Sequence, residues 1–201
     1  MKFTKIPENT FKEMQLNAGI LMKTFDPETA TVTPSEILSA TTGGISFSAV
    51  PTYKDMGEDI DNCPKNMKEL KEIETWDVKM SGTMISVTPA LVKKLLGAAD
   101  VLAEKITPRS DLTDADFEDV WWIGDYSDSN GEDDGGFVAI HMMNALSTAG
   151  FSLQSGDKSK GQMAFEYTAH YSIKAQTTVP FEVYVKAGGA AKAAVVTEEN
   201  I

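Results

Sequence analysis

Cysteine occurs once in the 201 residues, at Cys63, and histidine twice, at His141 and His170. A single cysteine excludes an internal disulfide and agrees with a reducing compartment. Together with two histidines it makes a poor ligand set for zinc, so no metal and no cofactor are expected. As a nucleophile Cys63 lacks support, because it precedes Pro64 in a charged stretch with no histidine near it in sequence. Long hydrophobic runs are also missing. The opening stretch MKFTKIPENTFKEMQ has no apolar run behind its lysines, so no secretory signal is expected. The longest uncharged stretch, 137–156, includes Asn144, Gln154, serines and glycines, too polar a mix for a spanning helix, and membrane insertion is not expected. The G-x-S-x-G, H-E-x-x-H and G-x-G-x-x-G patterns do not occur, and GDKSKG at 156–161 lacks the Walker spacing. No catalytic residue is expected. His141 and His170 each fall inside a predicted strand and read as ordinary strand residues; a hydrolase reading would require an activity that disappears when one of them is replaced.

Positive charge is scarce. Eighteen Lys and Arg stand against thirty Asp and Glu, a net charge of −12. Between Arg109 and Lys158 there is no basic residue, while eleven acids occur, so almost the whole imbalance lies there. Such a surface repels phosphates rather than binding them. Within this region WWIGDYSDSNGEDDGG at 121–136 crowds five carboxylates between a tryptophan pair and a glycine pair. Laid on a calcium loop with Gly131 at the glycine position, Asp128, Asn130 and Glu132 fall on ligand positions, but Tyr126 takes the first and Phe137 the last, where a bidentate glutamate is needed. The acidic loop 125–136 therefore reads as a hairpin connection with Asn130-Gly131 as turn residues, an adventitious cation site being the alternative.

What is present is strand and turn. With 42% apolar and 24% charged residues the chain has a globular composition. Its length fits a single domain, 1–201, with a core at about 16–187 and a small, weakly polar tail at 188–201 that is flexible or held between subunits. Apolar residues recur in short β-rich runs separated by Gly, Pro, Asp and Asn, which predicts a mainly β fold with strands at 16–25, 44–50, 76–87, 120–126, 137–146, 162–173 and 181–185. In 162–173 the alternation is clean: Met163, Phe165, Tyr167, Ala169, Tyr171 and Ile173 share one face. One helix is signalled by Thr88 as cap, Pro89 in the first turn and a stripe of Leu91, Val92, Leu95, Leu96 and Ala99. Residues 66–73 form a shorter helix, with Asn66 and Glu69 as a capping pair, or an ordered loop. Trp121 and Trp122 must point to opposite faces of their strand; one is core, and the other, if exposed, suits a protein interface or a sugar platform. The uncharged segment 137–156 would be an aggregation hazard as a bare edge, so it is either central in a sheet or covered by another copy.

Four segments resemble the major tail tube proteins of long-tailed (siphophage-type) bacteriophages and prophages of Gram-positive hosts: ATTGGISFSA (40–49), DMGEDIDNCPKNMKELKEI (55–73), MSGTMISVTPALVKKLLGAAD (80–100) and WWIGDYSDSNGEDDGGFVAIHMMNALSTAGFSLQSGDKSKG (121–161). The resemblance runs in order over roughly 16–187. It implies a β-sandwich or barrel with one flanking α-helix. Copies would close into rings, commonly of six, that stack into a tube conducting the genome to the host. It also implies synthesis in the host cytoplasm, residence in the virion, and contact with other tail proteins such as the tape measure and tail terminator. DNA would pass without specific binding. The family carries no catalytic residues. Its long inter-subunit loop matches 54–74, which makes Asp59, Asp61, Lys65 and Lys68 candidates for contacts between copies. On an acidic bore wall, Glu166 and Glu182 are the lumen-facing candidates, each on the polar phase of a predicted strand. A calcium-assisted carbohydrate-binding β-sandwich, using Asp128, Glu132 and an exposed tryptophan, is the alternative function.

Overall fold

The computed structural model describes residues 6, 7, 10, 13–126 and 136–186. The protein is mainly β, with one α-helix among the described residues. The strands are β1 (Gln15–Met22), β2 (Ile37–Ser39), β3 (Thr41–Asp55), β4 (Lys71–Met84), β5 (Ala99–Leu102), β6 (Lys105–Pro108), β7 (Glu118–Tyr126), β8 (Gly136–Ser147), β9 (Met163–Thr168) and β10 (Phe181–Lys186); α1 is Pro89–Leu96. Eight strands form one antiparallel sheet in the order β2-β1-β7-β8-β9-β4-β3, with β10 also on β8, and β5-β6 make a separate hairpin. No helix among the described residues is long and apolar enough to cross a membrane.

β8 is the hub, which makes the first part of the uncharged segment, 137–147, central, while 148–156 follows outside the strands and is mostly exposed. The first half of β8 is paired on both sides, with β7 and with β10, and its end, Leu146 and Ser147, pairs with β9. The change of partner occurs at Asn144, where the register to β7 shifts and φ is +48°. Asparagine tolerates this left-handed backbone better than most residues. Its side-chain NH₂ donates to the His170 carbonyl at 3.2 Å, and its backbone N–H donates to Asp119 Oδ1 at 3.0 Å.

Because residues alternate along β7 and β8, the two faces of this sheet carry two cores. The larger takes Leu21, Val120, Ile140 and Met142 on one side, Val78, Met80, Met84, Met163, Phe165 and Tyr167 on the other, and Leu91 and Leu95 of α1. Phe181 of β10 meets Phe47 and Trp76 of the β3–β4 half at centroid distances of 5.8 and 5.5 Å. The smaller core holds Met22, Phe25, Trp121, Ile123, Phe137 and Ala139. Trp121 and Trp122 therefore pack on different cores, and Trp76 joins Trp122 on the larger one.

The helix forms as its sequence signals require, with Thr88 Oγ1 accepting from the Leu91 N–H at 3.2 Å. It is shorter than the apolar stripe predicted. Gly97 ends it at φ +76°, with Ser147 Oγ donating to the Leu95 carbonyl at 2.9 Å, and Ala99 is buried in β5 instead. The strand expected over 162–173 also stops early, at Thr168. Met163, Phe165, Tyr167 and Ala169 are buried as the alternation predicts, but Tyr171 is 38% and Ile173 84% exposed. The backbone leaves the sheet where His170 bonds to Asn144. Residues 66–73 form no α-helix: Lys68–Leu70 is a single 3₁₀ turn and β4 begins at Lys71. Asn66 does not cap it, having φ +61° and a backbone N–H given to Asp55.

Candidate assembly surfaces

At one end the strands β3 and β4 run well past the core, to Asp55 and from Lys71, whereas strands at 44–50 and 76–87 are expected; at its other end β4 stops at Met84. They pair from Thr41↔Met84 to Asp55↔Lys71, with a bulge between Thr52 and Tyr53. Up to Ala49 and Trp76 the inner face packs on the larger core, and past the Pro51–Trp76 pair only Gly57 is buried. The four residues 52–55 carry the hairpin roughly 13 Å further, and the loop 56–70 follows. The extra residue opposite the bulge brings Tyr53 and Ile73 to one face as partners. Both are open to solvent, at 53% and 51%, and Met56 and Ile60 in the loop are as exposed. Among the described residues nothing covers these apolar side chains of the arm.

The arm is nonetheless ordered from within. Asp55 accepts from the backbone N–H of Gly57 and of Asn66, both at 2.9 Å, and Met56 N–H donates to the Leu70 carbonyl at 2.8 Å. The Asn66 and Gly57 amides hold the Asp55 carboxyl below its ordinary 3.8, helped by Lys71 and Lys65. A carboxyl depressed in the folded chain contributes order above its unfolded value and loses it as pH falls through the folded one. Amide exchange at Gly57 and Asn66 should therefore stay slow down to about pH 4 and quicken below it, beyond the intrinsic pH dependence of exchange. The Asp55→Ala variant should exchange fast at every pH. Equal protection in variant and parent would remove Asp55 from this role.

The structure places the sequence candidates on this arm without bringing them together as a site. Asp59, Asp61, Lys65 and Lys68 are all exposed, and Lys68 makes a surface pair with Glu69 at 3.5 Å. Exposed pairs of this kind contribute little. Tyr53 and Ile73, which sequence reasoning did not select, present exposed apolar side chains there. The signal for them was faint: a β-former on each side of a charged loop.

Glu166 and Glu182 also lie apart, on opposite halves of the sheet. Glu166 in β9 points away from the larger core and accepts from Thr148 Oγ1 at 3.1 Å. Around it, Ser46, Ser48, Ser81, Thr83 and Thr168 make a face of hydroxyls, and Lys79 is paired with Asp77 at 3.1 Å. Glu182 in β10 instead faces the smaller core. It accepts from the Tyr184 hydroxyl at 2.5 Å and lies 3.6 Å from His141 Nδ1. His141 Nε2 is 3.0 Å from Asp119, and its ring stacks on Trp121 at 4.0 Å. With a carboxylate at each ring nitrogen, His141 ties β7, β8 and β10 together. No group of three or more His, Cys, Asp or Glu able to hold a metal occurs among the described residues.

Trp122 is not a free platform. Its indole N–H donates to the Ala18 carbonyl at 3.0 Å, and it packs partly buried against the larger core. The acidic loop itself, with Asp128 and Glu132, falls on 127–135 outside the described residues, as does the tail 188–201. Its flanks, Tyr126↔Gly136 and Asp125↔Phe137, are paired antiparallel, as a hairpin connection requires. In the acidic run before it, Arg109 gathers Asp116 at 2.6 Å and Asp100 at 3.0 Å. Burial alone would raise the Asp116 carboxyl, but the Thr113 amide and Arg109 outweigh it and hold the group below its ordinary value. No family model matches the chain, and no curated protein matches it.

Proposed function

We propose that this chain is a structural subunit that closes with copies of itself into rings, which stack into the tail tube of a long-tailed bacteriophage or prophage, and that it has no catalytic role. Four sequence segments support the family, and the mainly antiparallel β architecture with one helix is compatible with a tail tube sandwich or barrel. The observation that carries assembly is the β3–β4 arm, which projects Tyr53, Ile73, Met56 and Ile60 into solvent on a backbone held by Asp55. A folded monomer gains nothing from such an arm; a neighbour in the ring or the stack covers it. Among the described residues β3 pairs only with β4 and β10 only with β8, so both present free edges that ring closure can pair. Each such interface in a permanent assembly buries on the order of 2,000 Å² or more.

The passage wall in this reading is the hydroxyl face around Glu166. Serine and threonine with one free carboxylate offer phosphates no cation, and Lys79 is already paired with Asp77. DNA slides past such a wall without sticking, since at a Debye length of about 8 Å only nearby charge is felt. The tape measure and tail terminator are the expected partners at the bore and at the tube end. Sizing and negative-stain microscopy of the purified protein over a concentration series test this: rings or tubes are expected. A strict monomer at every concentration, even with other tail components added as nuclei, would overturn it.

A further inference from the structure

One hydroxyl is buried where the described residues supply no partner. Tyr167 is 2% exposed, and its oxygen makes no hydrogen bond among the described residues. It borders a cavity of about 20 Å³ lined also by Lys94, Gly97, Glu118, Val120 and Ser147. The Lys94 ammonium is buried there and ion-paired with Glu118, yet has no well-aligned hydrogen bond. Ser147 Oγ donates to the Leu95 carbonyl and keeps its lone pairs free to accept. Burial, and then the Glu118 charge, push the Tyr167 phenol up, so it stays a neutral donor.

The size and the chemistry select the ligand. A buried water needs roughly 10–15 Å³ of such space and two to four polar partners, and this cavity meets both. The charged residues of the lining, Lys93 and Lys94 against Asp116 and Glu118, cancel, so the site has no net charge to demand an ion. We propose that this cavity is a binding site for one structural water molecule, which accepts from the Tyr167 hydroxyl and the Lys94 ammonium and donates to Glu118 and Ser147. The four groups come from β9, α1, β7 and β8, so the water joins the helix to three strands of the sheet. It does not depend on the assembly reading.

Crystal structures at about 1.6 Å or better of the parent and of Tyr167→Phe, which removes only the oxygen, test it. A single spherical density within hydrogen-bond distance of Tyr167 Oη, Lys94 and Glu118 is expected in the parent, and its loss or displacement in the variant. Oxygen-17 relaxation dispersion in solution should then count one long-lived water fewer in Tyr167→Phe. An empty cavity, density that anomalous scattering shows to be an ion, or a Tyr167 hydroxyl bonded directly to Glu118 in the parent would overturn the site. If the variant fails to fold, the parent density decides alone.

Discussion

Serine at both Tyr53 and Ile73 is expected to leave the isolated chain folded and to abolish ring closure. The two side chains are half exposed and lie beyond the last core contacts at Ala49 and Trp76, so their loss removes little from the monomer. The local contact forfeited is Lys71 over the Tyr53 ring at 4.8 Å, an exposed cation–π pair worth about 0.5–1 kcal/mol. In an interface the same residues are anchors. An aromatic or large aliphatic side chain at the centre of a contact contributes about 2 kcal/mol or more, and two of them change the association constant by about 10³-fold. Changing Asp59 or Lys68 to alanine should shift it by less than tenfold, because rim charges are screened and poorly ordered. Sedimentation velocity of parent and variants, with a melting curve for each, separates the two effects. Assembly of the double serine variant at the parent's concentration would remove the arm from the interface; a lost melting transition would mean that the arm is part of the fold.

The charge pattern hid this arm from sequence reasoning. Around the loop, TYKD and KEIET look like solvated turn material, since Tyr53 and Ile73 are isolated among charges. The bulge at Thr52/Tyr53 then breaks the period-two alternation that would have tied both residues to one face. Local signals fared better: Thr88 and Pro89 marked the helix start because capping involves only neighbours in the chain. Alternation identified the buried face of β9 up to Ala169 and failed after it, because the strand is ended by the pairing of His170 with Asn144, 26 residues away. The same limit applies to the tryptophans. Opposite faces follow from geometry, but that both faces are covered requires Phe25, which is expected at the end of the 16–25 strand and instead closes on Trp121 at 5.7 Å from the loop after β1. The hydroxyl face was invisible for another reason: serine and threonine in strands carry no periodic contrast until the register brings Ser46 opposite Ser81.

Gly19→Ala should be among the most damaging single substitutions in the protein, although the position looks like an ordinary strand glycine. Its φ is +69°, and a Cβ there would lie 2.5 Å from both the Ile123 carbonyl oxygen and Trp122 Nε1. Gly124, beside it across the ladder, is equally closed, with Trp122 at 2.6 Å from its would-be Cβ. The two glycines form a floor on which the Trp122 indole lies flat enough to reach the Ala18 carbonyl, and this contact fastens β1 to β7. A methyl at Gly19 combines left-handed strain of about 1–2 kcal/mol with overpacking of about 1–3 kcal/mol against a backbone oxygen that cannot move alone. The sum, about 2–5 kcal/mol, lowers the melting temperature of a chain this long by roughly 5–15 °C. In a Trp122→Ala background the same substitution should cost at least about 1 kcal/mol less, since the indole half of the clash is gone while the Ile123 half remains. A Gly19→Ala protein that melts within about 2 °C of the parent would mean that β1 shifts to accommodate the methyl, and that Trp122 rather than its glycine floor sets the β1–β7 register.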